Sequence, residues 1–401
     1  MCHQLFAVRL AVHDHCSVPY WPVASGRHMP RARVREIHQC GRTGFVQQQS
    51  ADHMPTTSQS SAILQPDSHP VDACSVRDLT GQSIIAVHAH PDDEAIWTGG
   101  LLAQLARRGA DVTVVTCTLG EQGEVISDPL QGLVADHADQ LGGYRHTELQ
   151  QSLAALQVRG CYLGGIGTYR DSGMVGDAAN SHPRAFIHSG EQAVEDLVAI
   201  IDRLRPSLLV TYGPDGGYGH PDHIRAHEIT HAAVAQLLAS SAHTGDDSLH
   251  TYAQSIRILW AVTWQPALET GSRAIAAAPD GWRIPQPEEI ACVADADIAI
   301  ALDEADCAAK IAAMKAHATQ LWIADGTTAV TRPAPAYATV TDFSTVCGVF
   351  ALSNLITQPL LRREYYQLGA GPALSHSGST PLSPASGQPP HLVDSADLFL
   401  R

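Results

Sequence analysis

The chain has 401 residues, of which 44% are hydrophobic and 16% charged, so it is long enough to bury a large core in one big or two modest domains. Its 25 basic and 41 acidic residues give a net charge of −16, which repels nucleic-acid phosphates and anionic lipid. Without an apolar run of the about 18 residues that a membrane helix needs, or a clear signal sequence, we expect no nucleic acid and no membrane as partner, and we expect a cytoplasmic protein that binds a small molecule.

Two residue types narrow the chemistry further. The nine cysteines contain no Cys-x-x-Cys pair, which is typical of reduced thiols in a reducing compartment. Lysine occurs only at Lys310 and Lys315, so a phosphate-loop lysine or a Schiff-base lysine beside the motifs described below is nearly excluded.

The two ends of the chain differ in composition from the rest. Residues 1–79 contain seven histidines and show no sustained strand or helix periodicity, so we expect a disordered extension there. Residues 370–390 are rich in Gly, Ser and Pro, which predicts that residues 370–401 form a flexible tail.

Between these ends, strands alternate with helices. That alternation predicts an α/β fold, Rossmann-like, with a mostly parallel sheet and helices on both faces over residues 80–245. A loop at 240–248 and a change of composition predict a boundary, followed by a smaller C-terminal α/β region at 246–369. The predicted strands are 83–90, 111–117, around 161–163, 207–211, 256–263 and one near Ile298; the predicted helices are 95–108, 136–156, 191–205, 221–239 and one that carries Cys307, Ile311, Met314, Ala318 and Leu321 at helical spacing.

The first polar motif stands where the strand beginning at Ser83 ends. An apolar run is followed by His-Ala-His-Pro-Asp-Asp-Glu at 88–94. Pro91 cannot donate to a strand ladder, so a loop begins by His90. In open α/β sheets ligands bind at the carboxyl ends of the strands, and imidazole and carboxylate are ligands that zinc prefers. We therefore expect one half of a metal site here.

The second polar motif is Gly-Gly-Tyr-Gly-His-Pro-Asp-His at 216–223, which again follows an apolar strand. Parallel strands bring their carboxyl ends to the same edge of the sheet, so this motif supplies the other half of the metal site. Its glycines let the backbone approach a substrate closely. Pro221 suits the first turn of a helix, which places His223 in that turn.

The two adjacent aspartates of the first motif are expected to have different roles. Consecutive side chains on a turning backbone point in different directions, so Asp92 and Asp93 do not both ligate one metal comfortably. One aspartate, His90 and a histidine of the second motif would leave an open position, as catalytic zinc sites do, although ferrous iron suits the same donors. Zinc lowers the pKa of bound water to about 7, and the other aspartate can act as general base. The pattern therefore favours a metal-dependent hydrolase.

Amide hydrolysis also needs hydrogen-bond donors for the intermediate and a proton for the leaving amine. His220 and Tyr218 are the candidates, because both stand in the second motif. Two other histidines could reach the metal. His88 lies two residues before His90, and His227 follows His223 by one helical turn, which recedes about 6 Å along a helix. We favour structural roles for both.

The two motifs together resemble the LmbE-like (PIG-L) family of zinc-dependent N-acetylglucosaminide deacetylases. Residues 116–126, 135–145 and 170–174 are also similar to the mycothiol-biosynthesis branch of that family, and the resemblance covers about residues 80 to 369. That branch removes acetate from the N-acetylglucosaminyl-inositol precursor of mycothiol. The resemblance therefore implies a zinc-dependent amidohydrolase with one zinc ion per subunit and an amino-sugar inositol as its small-molecule substrate.

The resemblance also implies roles for single residues. It implies that the metal is bound by His90, Asp93 and His223, that Asp92 is the base, and that Tyr218 and His220 stabilise the tetrahedral intermediate. It implies that Asp222 orients His220. Substrate hydroxyls would be held by Glu124, Arg145 and Asp171.

Three alternatives stay open at this point: a mycothiol S-conjugate amidase, another N-acetylglucosaminide deacetylase, and a protein without turnover. The sister mycothiol S-conjugate amidases tend to carry a lysine just after the first signature, which residues 95–98 lack, and residues 217–219 depart from their second motif; both differences favour the deacetylase. The rival from a different class is a sugar-binding or metal-sensing protein without turnover. Binding alone would not require Asp92, so the complete set of base and donors favours an enzyme.

Overall fold

The structure is a computed structural model that describes residues 77–374 and 388–400. The predicted extension at 1–79 therefore lies outside the described residues except for its last three, as do residues 375–387 and 401 of the predicted tail. Among the helices that are described, none is long and apolar enough to cross a membrane.

The described part is built from strands and helices that alternate along the first half of the chain. The strands are β1 Ser83–His88, β2 Asp111–Thr116, β3 Arg159–Tyr162, β4 Leu208–Tyr212, β5 Arg257–Val262, β6 Ile275–Ala277, β7 Ile298–Ala301, β8 Leu321–Ile323, β9 Thr339–Val340, β10 Val346–Leu352, β11 Gln358–Leu361, β12 Arg363–Ala370 and β13 His391–Leu392. The helices are α1 Asp93–Arg107, α2 Leu141–Leu156, α3 Gly190–Leu204, α4 Pro221–Thr244, α5 Asp247–Ser255, α6 Gln265–Arg273 and α7 Glu304–Ala316.

One eight-stranded sheet organises the fold, in the order β13-β7-β12-β5-β4-β1-β2-β3. The strands β3, β2, β1, β4 and β5 are parallel to one another, whereas β12 is antiparallel to both β5 and β7. The predicted Rossmann-like, mostly parallel sheet is confirmed. The chain order reverses between β1 and β4, and such a switch point is where open α/β sheets bind ligands.

The apolar sequence of β1 explains why it lies at the centre of the sheet. Ile85 and Val87 face a core that contains the apolar residues of α3 and α4. Ile84 and Ala86 point to the other face, where they join the leucines of α1. Successive side chains of a strand alternate between faces, so a strand covered on both faces is apolar at every position.

Two smaller sheets accompany the main one. Strands β11, β10 and β8 form a three-stranded sheet whose core includes residues of α1, α2 and α7, and β6 pairs with β9. This arrangement brings α7, from the second half of the chain, against α1 and α2.

The predicted boundary near residues 240–248 does not separate two sheets. Helix α4 continues to Thr244 and α5 begins at Asp247, while β5 pairs with β4 and extends the same sheet. The pattern of residues 256–263 correctly predicts a strand, but it does not indicate which other strand that strand pairs with. The regions predicted at 80–245 and 246–369 therefore share one sheet.

The predicted flexible tail is wrong for its described C-terminal part. Strand β13 pairs in parallel with β7, and Val393 and Leu398 are buried in the core beneath α1. Several helix predictions also differ at their ends: α2 begins at Leu141, α4 continues to Thr244 and α7 ends at Ala316. Leu321 therefore opens a strand of the small sheet and is not the end of a helix.

Candidate metal centre

His90 and Asp93 stand on the turn that joins β1 to α1. Strand β1 ends at His88, and α1 begins at Asp93. The backbone N–H of His90 donates to Oδ2 of Asp93 over 2.9 Å, which closes the turn and holds the carboxylate beside the imidazole. The first turn of a helix also favours a negative charge, because the helix dipole is positive there.

His220 and His223 are placed by the glycine-rich loop between β4 and α4. His220 is the N-cap of α4, and Pro221 is its first residue. Gly216 has a φ of 66°, and a Cβ atom there would lie 2.9 Å from Cβ of His223, so the loop requires glycine at this position. The Gly216 carbonyl and Nδ1 of His223 are 3.1 Å apart, which turns Nε2 of His223 toward His90.

Three potential ligand atoms from these two loops form a nearly equilateral triangle. Nδ1 of His90 lies 3.2 Å from Nε2 of His223, and Oδ2 of Asp93 lies 3.4 Å from each of these nitrogens. A tetrahedral zinc ion with ligands at about 2.1 Å separates its ligand atoms by about 3.4 Å. The donor set and its spacing therefore fit such an ion, and the three residues predicted as metal ligands are brought together.

The outer nitrogen of each of these histidines is also held. Nε2 of His90 lies 3.3 Å from Oδ2 of Asp222 and 3.6 Å from Oδ1 of Asp171, while Nδ1 of His223 is held by the loop carbonyl described above. Carboxylates behind a ligating histidine fix its tautomer and raise its basicity. Burial disfavours the charged form of His90, but Asp171, Asp222 and Asp93 outweigh this effect and raise its pKa well above the usual value.

The resemblance implied that Asp222 orients His220, but the structure places its carboxylate against other groups. Its Oδ2 atom faces His90 and accepts a hydrogen bond from the backbone N–H of Ser172 over 2.9 Å. What reaches His220 is the backbone N–H of Asp222, which donates to Nδ1 of that ring over 3.1 Å. The carboxylate therefore belongs to the environment of His90. Sequence spacing favoured His220, which stands two residues before Asp222, whereas His90 is 132 residues away and only the fold brings it to this carboxylate.

Asp92 stands beside the triangle but in a different environment from Asp93. Its side chain is 14% exposed, compared with 6% for Asp93, and its Oδ2 atom lies 3.3 Å from Nη2 of Arg145. Burial raises the pKa of Asp92 to about 6, and the guanidinium of Arg145 acts against that shift. For Asp93, burial also disfavours the charge, but His223 and His90 hold its pKa well below the usual value. The adjacent carboxylates are thus set to different proton affinities.

His220 and Tyr218 stand beside the ligand triangle, His220 buried and Tyr218 partly exposed. The ring of His220 is 4.6 Å from that of His90, and its nitrogen could also share an ion with His90 and His223. Burial and the neighbouring imidazoles lower the pKa of His220 to about 2, so the ring is neutral. Because its Nδ1 accepts a backbone N–H, its proton is on Nε2, which makes it a hydrogen-bond donor. Tyr218 is 48% exposed, and its ring lies 4.9 Å from that of His223.

The three residues predicted to hold substrate hydroxyls are not equivalent. Glu124 is exposed on the loop after β2, where a ligand could reach it. Arg145 is buried and donates to the carbonyls of Gly120 and Pro91, so its guanidinium supports the loop and Asp92. Asp171 is also buried, and its oxygens accept the backbone N–H groups of residues 122 and 173. Arg145 and Asp171 thus have partners within the protein, and their contacts with the substrate stay predictions.

His88 and His227 have structural contacts, as we expected, whereas no pattern in the sequence indicated that His317 lies near the site. His88 pairs with Thr98 at 2.9 Å, and Nδ1 of His227 lies 2.9 Å from the backbone carbonyl of Tyr212. The missed residue is His317, which is fully buried and lies 2.6 Å from Glu94. It follows an alanine-rich helix 223 residues further along the chain, so no local pattern could have connected it with the first motif.

Comparison with protein families and curated proteins gives consistent matches. A family model described as "PIG-L: GlcNAc-PI de-N-acetylase" matches residues 85–234. The chain is 58% identical over 305 residues to a protein of Corynebacterium diphtheriae named "1D-myo-inositol 2-acetamido-2-deoxy-alpha-D-glucopyranoside deacetylase", with 76% of this chain and 99% of the relative covered. A protein of Rhodococcus erythropolis with the same name is 44% identical over 295 residues, with 73% and 92% covered.

Solved structures were compared in the same way. The chain is 25% identical to the N,N'-diacetylchitobiose deacetylase from Pyrococcus horikoshii, with a TM-score of 0.34 and coverage of 45% of this chain and 60% of that one. It is 21% identical to a deacetylase of the teicoplanin biosynthetic pathway, with a TM-score of 0.37 and coverage of 60% and 83%.

Proposed function

The chain belongs to the family of PIG-L GlcNAc-PI de-N-acetylases, and on that premise we propose that it hydrolyses 1D-myo-inositol 2-acetamido-2-deoxy-alpha-D-glucopyranoside to the free amine and acetate, a step of mycothiol biosynthesis. Relatives that are 56–58% identical carry the name of that deacetylase. The observation that carries the proposal is the triangle of ligand atoms of His90, Asp93 and His223 next to a carboxylate, Asp92, that is not part of it. A binding protein would need the first feature but not the second.

We propose that the triangle holds one zinc ion. Two imidazole nitrogens and one carboxylate oxygen form the donor set of many catalytic zinc sites, which keep a further position open, and ferrous iron suits the same donors. When bound, the ion supplies Lewis acidity that polarises the amide carbonyl and lowers the pKa of water to about 7.

Asp92 is the general base in this proposal. Its pKa of about 6 lies near the working pH, which is where a base combines the correct charge with useful proton affinity. Arg145 limits how far burial raises that pKa, so most of the carboxylate is ionised at pH 7. Asp92 takes a proton from the water molecule while the oxygen of that water forms a bond to the carbonyl carbon of the amide. It returns this proton to the nitrogen when the C–N bond breaks, which releases the amine and acetate.

His220 and Tyr218 stabilise the negative charge that develops on the carbonyl oxygen. His220 presents an Nε2–H and stays neutral because its pKa is about 2, so it donates a hydrogen bond without transferring its proton. The hydroxyl of Tyr218 is a second donor at the exposed side of the site. Donors aimed at a developing oxyanion typically contribute about 10²–10³ in kcat each.

Recognition of the sugar or inositol is proposed for Glu124. It is the exposed member of the three predicted contacts, and a carboxylate accepts hydrogen bonds from hydroxyl groups. Arg145 and Asp171 contribute indirectly, the first by supporting Asp92 and the second by supporting His90.

The test is acetate release from N-acetylglucosaminyl-inositol, measured beside amide cleavage of a mycothiol S-conjugate at equal concentrations. We expect faster turnover of the acetylated sugar. Faster cleavage of the conjugate would assign the chain to the amidases. Binding of both compounds without turnover by the metal-loaded protein would favour the non-catalytic alternative.

A further inference from the structure

Glu94 is the last residue of the first motif, and its buried side chain contacts two elements that are distant in the chain. Its side chain is fully buried, and Oε2 accepts a hydrogen bond from the backbone N–H of Asp92 over 3.0 Å. Its other oxygen, Oε1, accepts a hydrogen bond from the hydroxyl of Ser152 on α2 and lies 2.6 Å from Nε2 of His317, which directly follows α7. Glu94 therefore connects the backbone of the base with two elements from elsewhere in the chain.

The backbone of Asp92 needs such support because its conformation is strained. Asp92 has a φ of 114° and a ψ of −30°, a region that residues with a side chain rarely adopt. Strained residues persist where the surrounding structure determines their conformation, and they cluster at functional sites. Three kinds of contact hold Asp92 in this conformation. Glu94 accepts a hydrogen bond from its backbone N–H, Ala95 and Ile96 donate to its carbonyl, and Arg145 lies beside its carboxylate.

We propose that His317 is a positioning residue for Asp92, and that it acts through Glu94. The contact between His317 and Glu94 fixes the carboxylate in the rotamer that accepts the N–H of Asp92. That hydrogen bond in turn fixes the direction in which the side chain of Asp92 leaves the strained backbone. The inference rests on the proposed function only in taking Asp92 as the base.

The surroundings of His317 make it suited to this role. The His317 ring is fully buried, and within the described part of the chain its Nδ1 atom has no hydrogen-bond partner. The polar contact of the ring is therefore the one between Nε2 and Glu94. The turn that it begins is anchored independently, because the N–H and hydroxyl of Thr319 both donate to Glu148 on α2. The imidazole is thus held on a fixed turn and contacts Oε1 of Glu94, while Asp92 donates to Oε2.

The experiment compares two replacements of His317 in the full-length, metal-loaded enzyme. His317→Leu removes the donor while keeping an apolar side chain in the cavity, and His317→Gln places an amide N–H where Nε2 stands. We expect H317L to lower kcat by about 10–100-fold, as loss of residues behind an active site commonly does. KM and metal content should change little, and H317Q should recover much of kcat.

A mutant cycle tests whether the effect passes through Glu94. In a Glu94→Gln background, H317L should lower kcat by much less than in the wild type, because partners in one network are not additive. Val349→Ala is the control, because Val349 is buried on β10 in a cluster that contains none of the residues that hold Asp92. It should lower stability while leaving kcat of the folded protein unchanged.

Three outcomes would overturn the inference: wild-type kcat in H317L, equal loss of kcat in H317L and H317Q, or additive effects of H317L and Glu94→Gln. If H317L does not fold, His317→Met, which also removes the donor to Oε1 of Glu94, takes its place, and a wild-type kcat in that variant would also overturn the inference. The ratio of kcat values is measured on whichever acetamido sugar the wild type hydrolyses. A wrong substrate assignment would therefore show in the wild type and leave this ratio readable.

Discussion

Nδ1 of His90 and Nε2 of His223 lie 3.2 Å apart, although 133 residues separate them in the chain. The two loops meet because β1 and β4 are neighbours at the switch point of the sheet, so each motif leaves its strand at the same edge. Two nitrogen lone pairs at this distance repel each other unless a proton or a cation lies between them. The geometry is that of a site prepared for a metal ion, and the first prediction concerns that ion.

We expect His90→Ala, Asp93→Ala and His223→Ala each to lower metal stoichiometry, because each removes one of three protein ligands. Metal content after dialysis, measured by atomic emission, checks this. His227→Ala is the matched control, because His227 lies on the same helix as His223 and its Nδ1 pairs with a backbone carbonyl. It should retain its metal, and full metal content in all three ligand variants would contradict the site.

A second prediction distinguishes the observed role of Asp222 from the one that the sequence suggested. Because its carboxylate faces Nε2 of His90, Asp222→Asn should weaken metal affinity by about 10–100-fold. Competition with a chelator of known affinity measures the change. If Asp222 instead orients His220, the variant should lose kcat at saturating metal while its Kd for the metal stays that of the wild type.

The contact of Asp222 with His90, where the sequence suggested His220, shows what the sequence could and could not predict. A run such as residues 84–87 ends in a loop at a definable edge of the sheet, so the two motifs could be predicted from strand ends, whereas the roles of their single residues were implied by the family resemblance. Which atom faces which depends on the paths of loops 117–127 and 163–189, and neither has a repeating pattern that specifies a path. The indirect roles of Arg145, Asp171 and Asp222 therefore emerged only from the structure.

The second half of the chain was harder to predict for a related reason. Strand β5 has an apolar pattern that predicts a strand, but joining the main sheet depends on contacts with β4 and β12. The composition of residues 370–390 predicts a flexible tail, and this prediction was extended to the residues that follow. Its apolar residues, Val393, Ala396 and Leu398, are spaced too irregularly to indicate a buried element.

The packing of that segment leads to a third prediction. Leu398 is 1% exposed in the core beneath α1, so Leu398→Ala should lower the free energy of unfolding by about 2–4 kcal/mol. Urea denaturation measures the loss. Leu392→Ala in β13 is the control, because Leu392 is 54% exposed and should change stability by less than about 0.5 kcal/mol. Equal effects of the two changes would mean that the segment does not complete the core.

The contact between Arg145 and Asp92 leads to a fourth prediction, which concerns the pH dependence of kcat/KM. The base must be ionised, so kcat/KM should fall as the pH drops through the pKa of Asp92, which is about 6 in the chain alone. A bound cation lowers that pKa as Arg145 does, so the acid limb lies at or below about pH 6.

Replacing Arg145 should move this limb in a known direction. Arg145→Met removes the cation that lies 3.3 Å from the carboxylate, so the pKa of Asp92 rises and the acid limb moves to higher pH. Arg145→Lys keeps the charge and should leave the limb close to its wild-type position. An acid limb that is the same in the wild type and in Arg145→Met would show that a group other than Asp92 is titrating.

The last prediction separates catalysis from metal binding at two adjacent residues. If Asp92 is the base and lies outside the ligand triangle, Asp92→Asn should keep metal content and KM while lowering kcat by about 10²–10⁴, because the amide is nearly isosteric but cannot take a proton. Asp93→Asn should instead lose metal affinity, since Oδ2 of Asp93 lies 3.4 Å from both ligand nitrogens. Added metal should then restore part of the activity by mass action.

His220→Ala completes the comparison: it should retain metal and lose kcat, because its proposed contribution is a hydrogen bond to the intermediate. Metal content and kcat measured on the same preparations of the three variants decide the assignment. The two aspartate variants should fail differently, one with full metal and little turnover and the other with turnover that depends on the metal supplied. An Asp92→Asn protein with normal turnover would refute the mechanism, since no other carboxylate of the first motif is free to act: Asp93 faces the two ligand nitrogens and Glu94 is buried against His317.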